Sequence, residues 1–289
     1  MAKETKTLNS DYGNMLEPWM LSMDDVQFDP SNLNSIIGQD TVGTVFKGSY
    51  HGEAVAVKQF HSINQVDSVE LKELIANEIK VWAKISHEPY ILTLIGLCKV
   101  PRPILVTELC QTNIRRYVRD WPETLLPMVY QFAKGLATIH NANVIHRDLK
   151  GDNVLVTAQK TVAIADFGLS RDGNATMMDD DQVRGTLNWM SPEQYFKPQS
   201  VTTKSDIWSF GMTLWEILNN ETPYRECSEY EFKDIFQSDD DRPEKPQELA
   251  PMLEPLWSLI TKCWQLDPHA RPSAVEIVAF FEDHYNSQL

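Results

Sequence analysis

The chain has 289 residues, with 26 Lys and Arg against 41 Asp and Glu, a formal net charge of −15. At about 150 residues per domain this length suits two domains or one two-lobed unit, and the acidic balance argues against gripping nucleic acid or an anionic membrane. Cys98, Cys110, Cys227 and Cys263 form no C-x-x-C pair, so neither a zinc cage nor a disulfide framework is indicated, and a reducing compartment, the cytoplasm, is expected.

Residues 1–27 are rich in Asn, Met and acids with weak periodicity and read as a loose extension. Met15, Leu16, Trp19, Met20 and Leu21 would also suit an apolar groove. Residues 1–14 lack the apolar run of a signal peptide, and Ala2 stands where myristoylation needs glycine. The longest apolar stretch, 90–98, is far shorter than the roughly 20 residues of a membrane-spanning helix, so no membrane insertion is expected.

From 33 to 60, short runs punctuated by Gly38, Gly43, Gly48 and Gly52 give a hairpin-like strand pattern, clearest at Ala54-Val55-Ala56-Val57-Lys58. Leu71, Ile75, Val81, Trp82 and Ile85 predict a helix over 67–86, and strand character resumes at 90–97 and 104–109. After Gln111 the pattern is mostly helical, with helices expected at 126–140, 202–219, 255–264 and 273–284. The stretch 207–218 is apolar nearly all round and should be a central buried helix.

Three constellations carry chemistry. Gly38-Gln39-Asp40-Thr41-Val42-Gly43-Thr44-Val45 lies between two expected strands, where a glycine-rich turn lays backbone N–H groups over phosphates; alone it is equally an ordinary hairpin turn. It departs from G-x-G-x-x-G-x-V at Asp40. Lys58 follows Val45 by 13 residues at a strand end, and Glu78 lies on the apolar stripe Leu71, Ile75, Trp82 and Ile85. A carboxylate on a buried face needs a partner, and Lys58 is the obvious cation. The strongest segment is His146-Arg147-Asp148-Leu149-Lys150-Gly151-Asp152-Asn153, followed by Asp166-Phe167-Gly168 and Ser191-Pro192-Glu193, in the order H-R-D-L-x-x-x-N, D-F-G and a Ser-for-Ala form of A-P-E.

On these motifs the chain from about Leu33 to Phe281 resembles a eukaryotic protein kinase domain. The run Gly185 to Glu193, Cys263-Trp264, Asp267-Pro268 and Arg271-Pro272 resemble the tyrosine-kinase-like group of Ser/Thr kinases. The resemblance implies an α+β, two-lobed fold: an extension over 1–27, a small antiparallel β-sheet lobe with one helix and the hinge over 28–110, and a larger, mainly α-helical lobe over 111–289. It implies ATP and Mg²⁺ as cofactors, protein substrates presenting Ser or Thr, and an upstream kinase as partner. A pseudokinase scaffold is the alternative, favoured by Asp40 alone.

By the same resemblance Lys58, fixed by Glu78, holds the phosphates, Asp166 and Asn153 bind the metal, Asp148 accepts the hydroxyl proton and Lys150 approaches the γ-phosphate. Gly38 and Gly43 form the phosphate turn; Ile37, Val45, Ala56 and Leu155 sandwich adenine; Thr107 is the gatekeeper and the backbone of Glu108 to Cys110 the hinge. Arg147 resembles the arginine that pairs an activation-loop phosphate, with Ser170 and Thr176 as acceptors; Asp179 to Asp181 are expected to substitute partly for that phosphate. Lys150 with Thr186 resembles Ser/Thr kinases, with dual specificity left open as the alternative. Asp206 should tie the catalytic loop, Glu193 should pair with Arg271, and Asp40 should weaken ATP binding if it faces the triphosphate.

Overall fold

The structure is a computed structural model and describes residues 16–40, 43–61, 78–98, 103–173, 183–238 and 241–289. Its contacts divide the chain into two units, one ending at His87 and resuming over Leu92–Cys110, the other comprising Glu88–Ile91 and Gln111–Leu289.

The smaller unit is a 6-stranded antiparallel sheet in which β1 (Val26–Gln27), β3 (Gly43–Tyr50), β4 (Glu53–Phe60), β6 (Ile104–Glu108) and β5 (Leu94–Cys98) follow one another, with β2 (Ile36–Gln39) paired to β3. His51 and Gly52, both at positive φ, make the tight turn whose twist suits the β3–β4 hairpin. Val45 pairs with Lys58 and Ala56 with Thr107. Side chains alternate across a strand, so Val45, Ala56, Lys58 and Thr107 share one face of the sheet.

The other face is covered by residues expected to be loose. Leu21 donates its N–H to the Leu97 carbonyl at 2.8 Å, and Val26 and Gln27 pair with Tyr50 and Ser49. Val26 joins Val55, Val57, Cys98, Ile104 and Val106 in a buried cluster against which Leu21, Met23 and Phe28 pack. A Cβ on Gly96 would stand 2.5 Å from the Trp19 carbonyl oxygen, so the segment lies directly on the strand. Residues 16–27 are thus structural, a correction to the loose tail; Met15 lies outside the described residues. Of the helix expected over 67–86, residues 78–83 are described and helical, and the chain turns at 84.

The larger unit is built around the Thr203–Asn219 helix, capped by the Thr202 hydroxyl and buried on nearly every side. Glu254–Cys263 packs against it so closely that a Cβ on Gly211 would stand 2.7 Å from that of Cys263. Leu125–Asn141 packs on Ala274–Tyr285, whose start carries a capping box of Ser273 and Glu276. The expected helices thus sit within a residue or two of their sequence bounds. The run 90–97 does not form one strand: Tyr90 takes φ 66° and Ile91 bridges to Ile164 in the larger unit, so β5 begins only at Leu94. Among the described residues no helix is long and apolar enough to cross a membrane.

Candidate active site

The loop 146–153 is held by a buried carboxylate. Asp206, in the first turn of the Thr203–Asn219 helix, accepts the N–H groups of His146 and Arg147, each at 2.8 Å, and lies 2.9 Å from His140 Nε2. Burial alone would push this carboxyl up, but His140 and the backbone donors outweigh it and hold it below its ordinary value. Arg147 and Asp166 adopt positive φ values of 73° and 65°, a conformation that persists only where the surroundings enforce it. His146 supplies part of that enforcement, with Nε2 at 2.9 Å from the Ala165 carbonyl oxygen and its ring 5.1 Å from that of Phe167.

Asp148 is anchored on one oxygen and approached on the other. Its Oδ1 accepts the Thr186 N–H at 2.9 Å and the Thr186 hydroxyl at 2.8 Å. Lys150 Nζ donates to the same hydroxyl at 2.8 Å and lies 3.2 Å from Asp148 Oδ2. Asn153 Nδ2 donates to the Asp148 carbonyl at 2.7 Å and to Oδ2 at 3.2 Å. The Asn153 carbonyl accepts the Ala165 N–H at 2.8 Å, which brings Asp166 beside Asn153. The Asp148 carboxylate is thus ringed by donors from Thr186, Asn153 and Lys150.

In the smaller unit Lys58 Nζ lies 3.4 Å from Asp40 Oδ2, while Asp40 Oδ1 accepts the Gly43 N–H at 2.6 Å. Asp40 therefore turns neither to solvent alone nor outward from the turn. Glu78 is 3% exposed on the helical stretch 78–83. Ala56 and Thr107 are buried, Val45 is half-buried and Ile37 exposed; Leu155, half-buried, belongs to the larger unit. The Glu108 N–H is committed to the Thr93 carbonyl and its side chain to the Thr93 N–H, at 3.1 and 2.8 Å.

The sequence model of the protein tyrosine and serine/threonine kinase family matches residues 31–281. The chain belongs to the protein kinase family. This kinase is 34% identical over 254 residues to the dual specificity protein kinase shkD of Dictyostelium discoideum, covering 84% of the chain and 33% of the relative. It is 31% identical over 251 residues to the probable serine/threonine-protein kinase SIS8 of Arabidopsis thaliana, covering 84% and 24%. Similarity to the mitogen-activated protein kinase kinase kinase 10 of Xenopus laevis is 32% over 273 residues, covering 86% and 26%. The kinase thus spans only a quarter to a third of these three relatives.

Several residues that shape the kinase's site were not singled out from sequence. Glu216, 2% exposed, accepts the Gly151 N–H at 2.8 Å and the Trp189 indole N–H at 2.9 Å, with Arg115 Nη1 at 3.5 Å. Burial pushes its carboxyl up to about 7 against the lowering effect of these donors. An acid inside an otherwise apolar helix was the available signal, since burying it demands partners. Gln194 Nε2 donates to the carbonyls of Arg147 and Arg184 at 2.8 and 2.7 Å, joining the loop 146–153 to the segment that carries Thr186. Ser170 donates its hydroxyl to the His146 carbonyl at 3.2 Å. Thr176 and Asp179 to Asp181 lie outside the described residues. Cys110, last residue of the smaller unit, is half-buried, and burial together with Glu108 pushes its thiol up to about 12.

Proposed function

We propose that this kinase uses ATP and Mg²⁺ to phosphorylate Ser and Thr hydroxyls of protein substrates. The observation that carries the reading is the cluster of Asp148, Thr186 and Lys150. Thr186 holds Oδ1 of Asp148 with two donors at 2.8 and 2.9 Å, whereas Asn153 Nδ2 and Lys150 Nζ stand at 3.2 Å from Oδ2, so Oδ2 is the less tightly held oxygen and the one offered to an incoming hydroxyl. Asp148 orients that hydroxyl and takes its proton, while Lys150, 3.2 Å away, offsets charge on the transferring group. The lysine beside the acceptor carboxylate and the threonine bridging the two support Ser/Thr selection. Asn153 and Asp166 would hold the metal, and their hard oxygen donors suit Mg²⁺, which takes few protein ligands and completes its shell with phosphates and water. When bound, the ion neutralises the triphosphate.

On the same reading Lys58, oriented by Glu78, holds the phosphates beside Gly38 and Gly43. Ile37, Val45, Ala56, Thr107 and Leu155 contact adenine, with the backbone of Glu108 and Cys110 as its hydrogen-bonding edge. Arg147, Ser170, Thr176 and Thr186 are the regulatory positions, addressed by an upstream kinase. Four free cysteines support a reducing, cytoplasmic setting.

The test is incubation with Mg²⁺, γ-labelled ATP and generic Ser/Thr and Tyr acceptor proteins, beside an Asp148→Asn control. Label on Ser or Thr that vanishes in the control is expected. Absence of label from a folded, ATP-binding and activation-loop-phosphorylated protein would overturn the reading. It would favour the second one, a pseudokinase scaffold, which only the contact of Asp40 with Lys58 supports.

A further inference from the structure

A turn that cradles phosphate works through two kinds of donor, backbone N–H groups and a nearby cation. In this chain one side chain engages one of each. Asp40 Oδ1 accepts the Gly43 N–H at 2.6 Å, and Asp40 Oδ2 lies 3.4 Å from Lys58 Nζ. A second bond, from the Asp40 N–H to the Gly43 carbonyl at 3.0 Å, closes the turn around that carboxylate. Two oxygens of one anion thus span an amide and an ammonium group, as two oxygens of a phosphate would.

The surroundings keep these donors in place. Gly43 pairs with Phe60 at the end of the β3–β4 ladder, and a Cβ there would stand 2.7 Å from the Gln59 carbonyl oxygen, so its backbone lies directly on β4. Lys58 sits two positions earlier on β4, opposite Val45. The Asp40 side chain is 45% exposed and that of Lys58 18%. Water therefore reaches the carboxylate, and an anion arriving from solution can displace it.

We infer that Asp40 is a specificity-determining residue of the nucleotide site, an internal anion that competes with the phosphates of a nucleotide for Lys58 and the Gly43 N–H. The inference rests on the nucleotide-binding reading above. Its consequence is selective: Asp40 lowers affinity for an adenine nucleotide whose phosphates reach Lys58 and the Gly43 N–H, and leaves phosphate-free adenosine untouched. Simple repulsion by a carboxylate turned outward would need no contact with Lys58; competition for a shared cation makes Lys58 part of the effect.

The experiment is calorimetric titration of the full chain with adenosine and with ATP in the presence of Mg²⁺, for the wild type, Asp40→Asn and Asp40→Gly. Asparagine keeps the acceptor for Gly43 and removes the negative charge facing Lys58, so the turn is preserved; glycine removes both contacts of the carboxylate. ATP affinity is expected to rise roughly fivefold in Asp40→Asn, the effect of removing one half-exposed ion pair, and at least as much in Asp40→Gly. Adenosine affinity should stay within about twofold in all three chains. An unchanged ratio of ATP to adenosine affinity, with adenosine binding intact, overturns the role of Asp40 alone. Failure of all three folded chains to bind either ligand overturns the nucleotide reading and this inference with it.

Discussion

Glu193 and Arg271, 78 residues apart, meet fork to fork, with Nη1 and Nη2 of the guanidinium donating to the two carboxylate oxygens at 2.6 and 2.9 Å. The Arg271 side chain is fully buried and that of Glu193 is 13% exposed. The guanidinium also lies 5.0 Å from the Trp208 ring centre and donates to the Gln265 carbonyl at 2.8 Å. Burial alone would push the Glu193 carboxyl up, but the Arg271 bonds hold it below its ordinary 4.5. Removing one partner strands the other, so Arg271→Met should cost about 3–5 kcal/mol in urea unfolding. Because the Glu193 value is lowered, that stabilisation is present above 4.5 and fades as pH falls through the folded value. A loss below about 1 kcal/mol, as for an exposed pair, would refute this.

Thr186 sits between acceptor and cation, donating to Asp148 and accepting from Lys150, both at 2.8 Å. Thr186→Ala leaves the Asp148 carboxylate with one anchor fewer and takes from Lys150 its 2.8 Å acceptor, leaving it Asp148 Oδ2 at 3.2 Å. Its kcat should fall roughly ten- to a hundredfold with the KM for ATP little changed, and Thr186→Ser should recover most of the loss. Equal changes in kcat for Ala and Ser would show that the methyl group, not the hydroxyl, is what the site uses.

Glu216 titrates late because burial disfavours its charge. Its value rises from 4.5 unfolded to about 7 folded, so between those limits the native chain retains a proton that the unfolded chain has lost. The contribution of Glu216 to stability therefore falls as pH rises across that window, by about 1.4 kcal/mol per pH unit for one proton. Glu216→Gln abolishes this slope. Urea midpoints of both chains between pH 5 and about 7 measure it; parallel pH profiles would exclude a buried acid at this position.

Gly96 is the seat of the N-terminal segment. Ala at this position would force a methyl group to within 2.5 Å of the Trp19 carbonyl and 2.7 Å of Leu21 Cγ. Gly96→Ala should destabilise the smaller unit by about 1–3 kcal/mol, the usual range for overpacking, and expose residues 16–25 to limited proteolysis. Unaltered cleavage kinetics would mean that the segment does not depend on that contact.

The two halves of the larger unit's chemistry were readable for different reasons. Thr203–Asn219 was legible because a capping Thr and an apolar run act locally, and the closeness of Asp148 to Asn153 because both fall in one short motif. The partnership of Glu216 with Gly151 was not, since it joins residues 65 apart through a backbone N–H that any residue other than proline possesses. The docking of 16–27 was hidden similarly: it depends on a missing Cβ at Gly96, in a strand far along the chain. Asp40 was visible as an oddity, yet its direction was not, because a turn carboxylate can satisfy itself on solvent, on its own loop or on a neighbouring cation with little difference in local sequence. The apolar run 90–97 lacked the periodicity that would have located the break at Tyr90.

Cys110 has a practical corollary. With its thiol pushed up to about 12 by burial and by Glu108, it carries far less thiolate at neutral pH than an ordinary cysteine. Acrylamide and chloroacetamide warheads aimed at this edge of the sheet would alkylate it sluggishly, and hydrogen peroxide would leave it reduced.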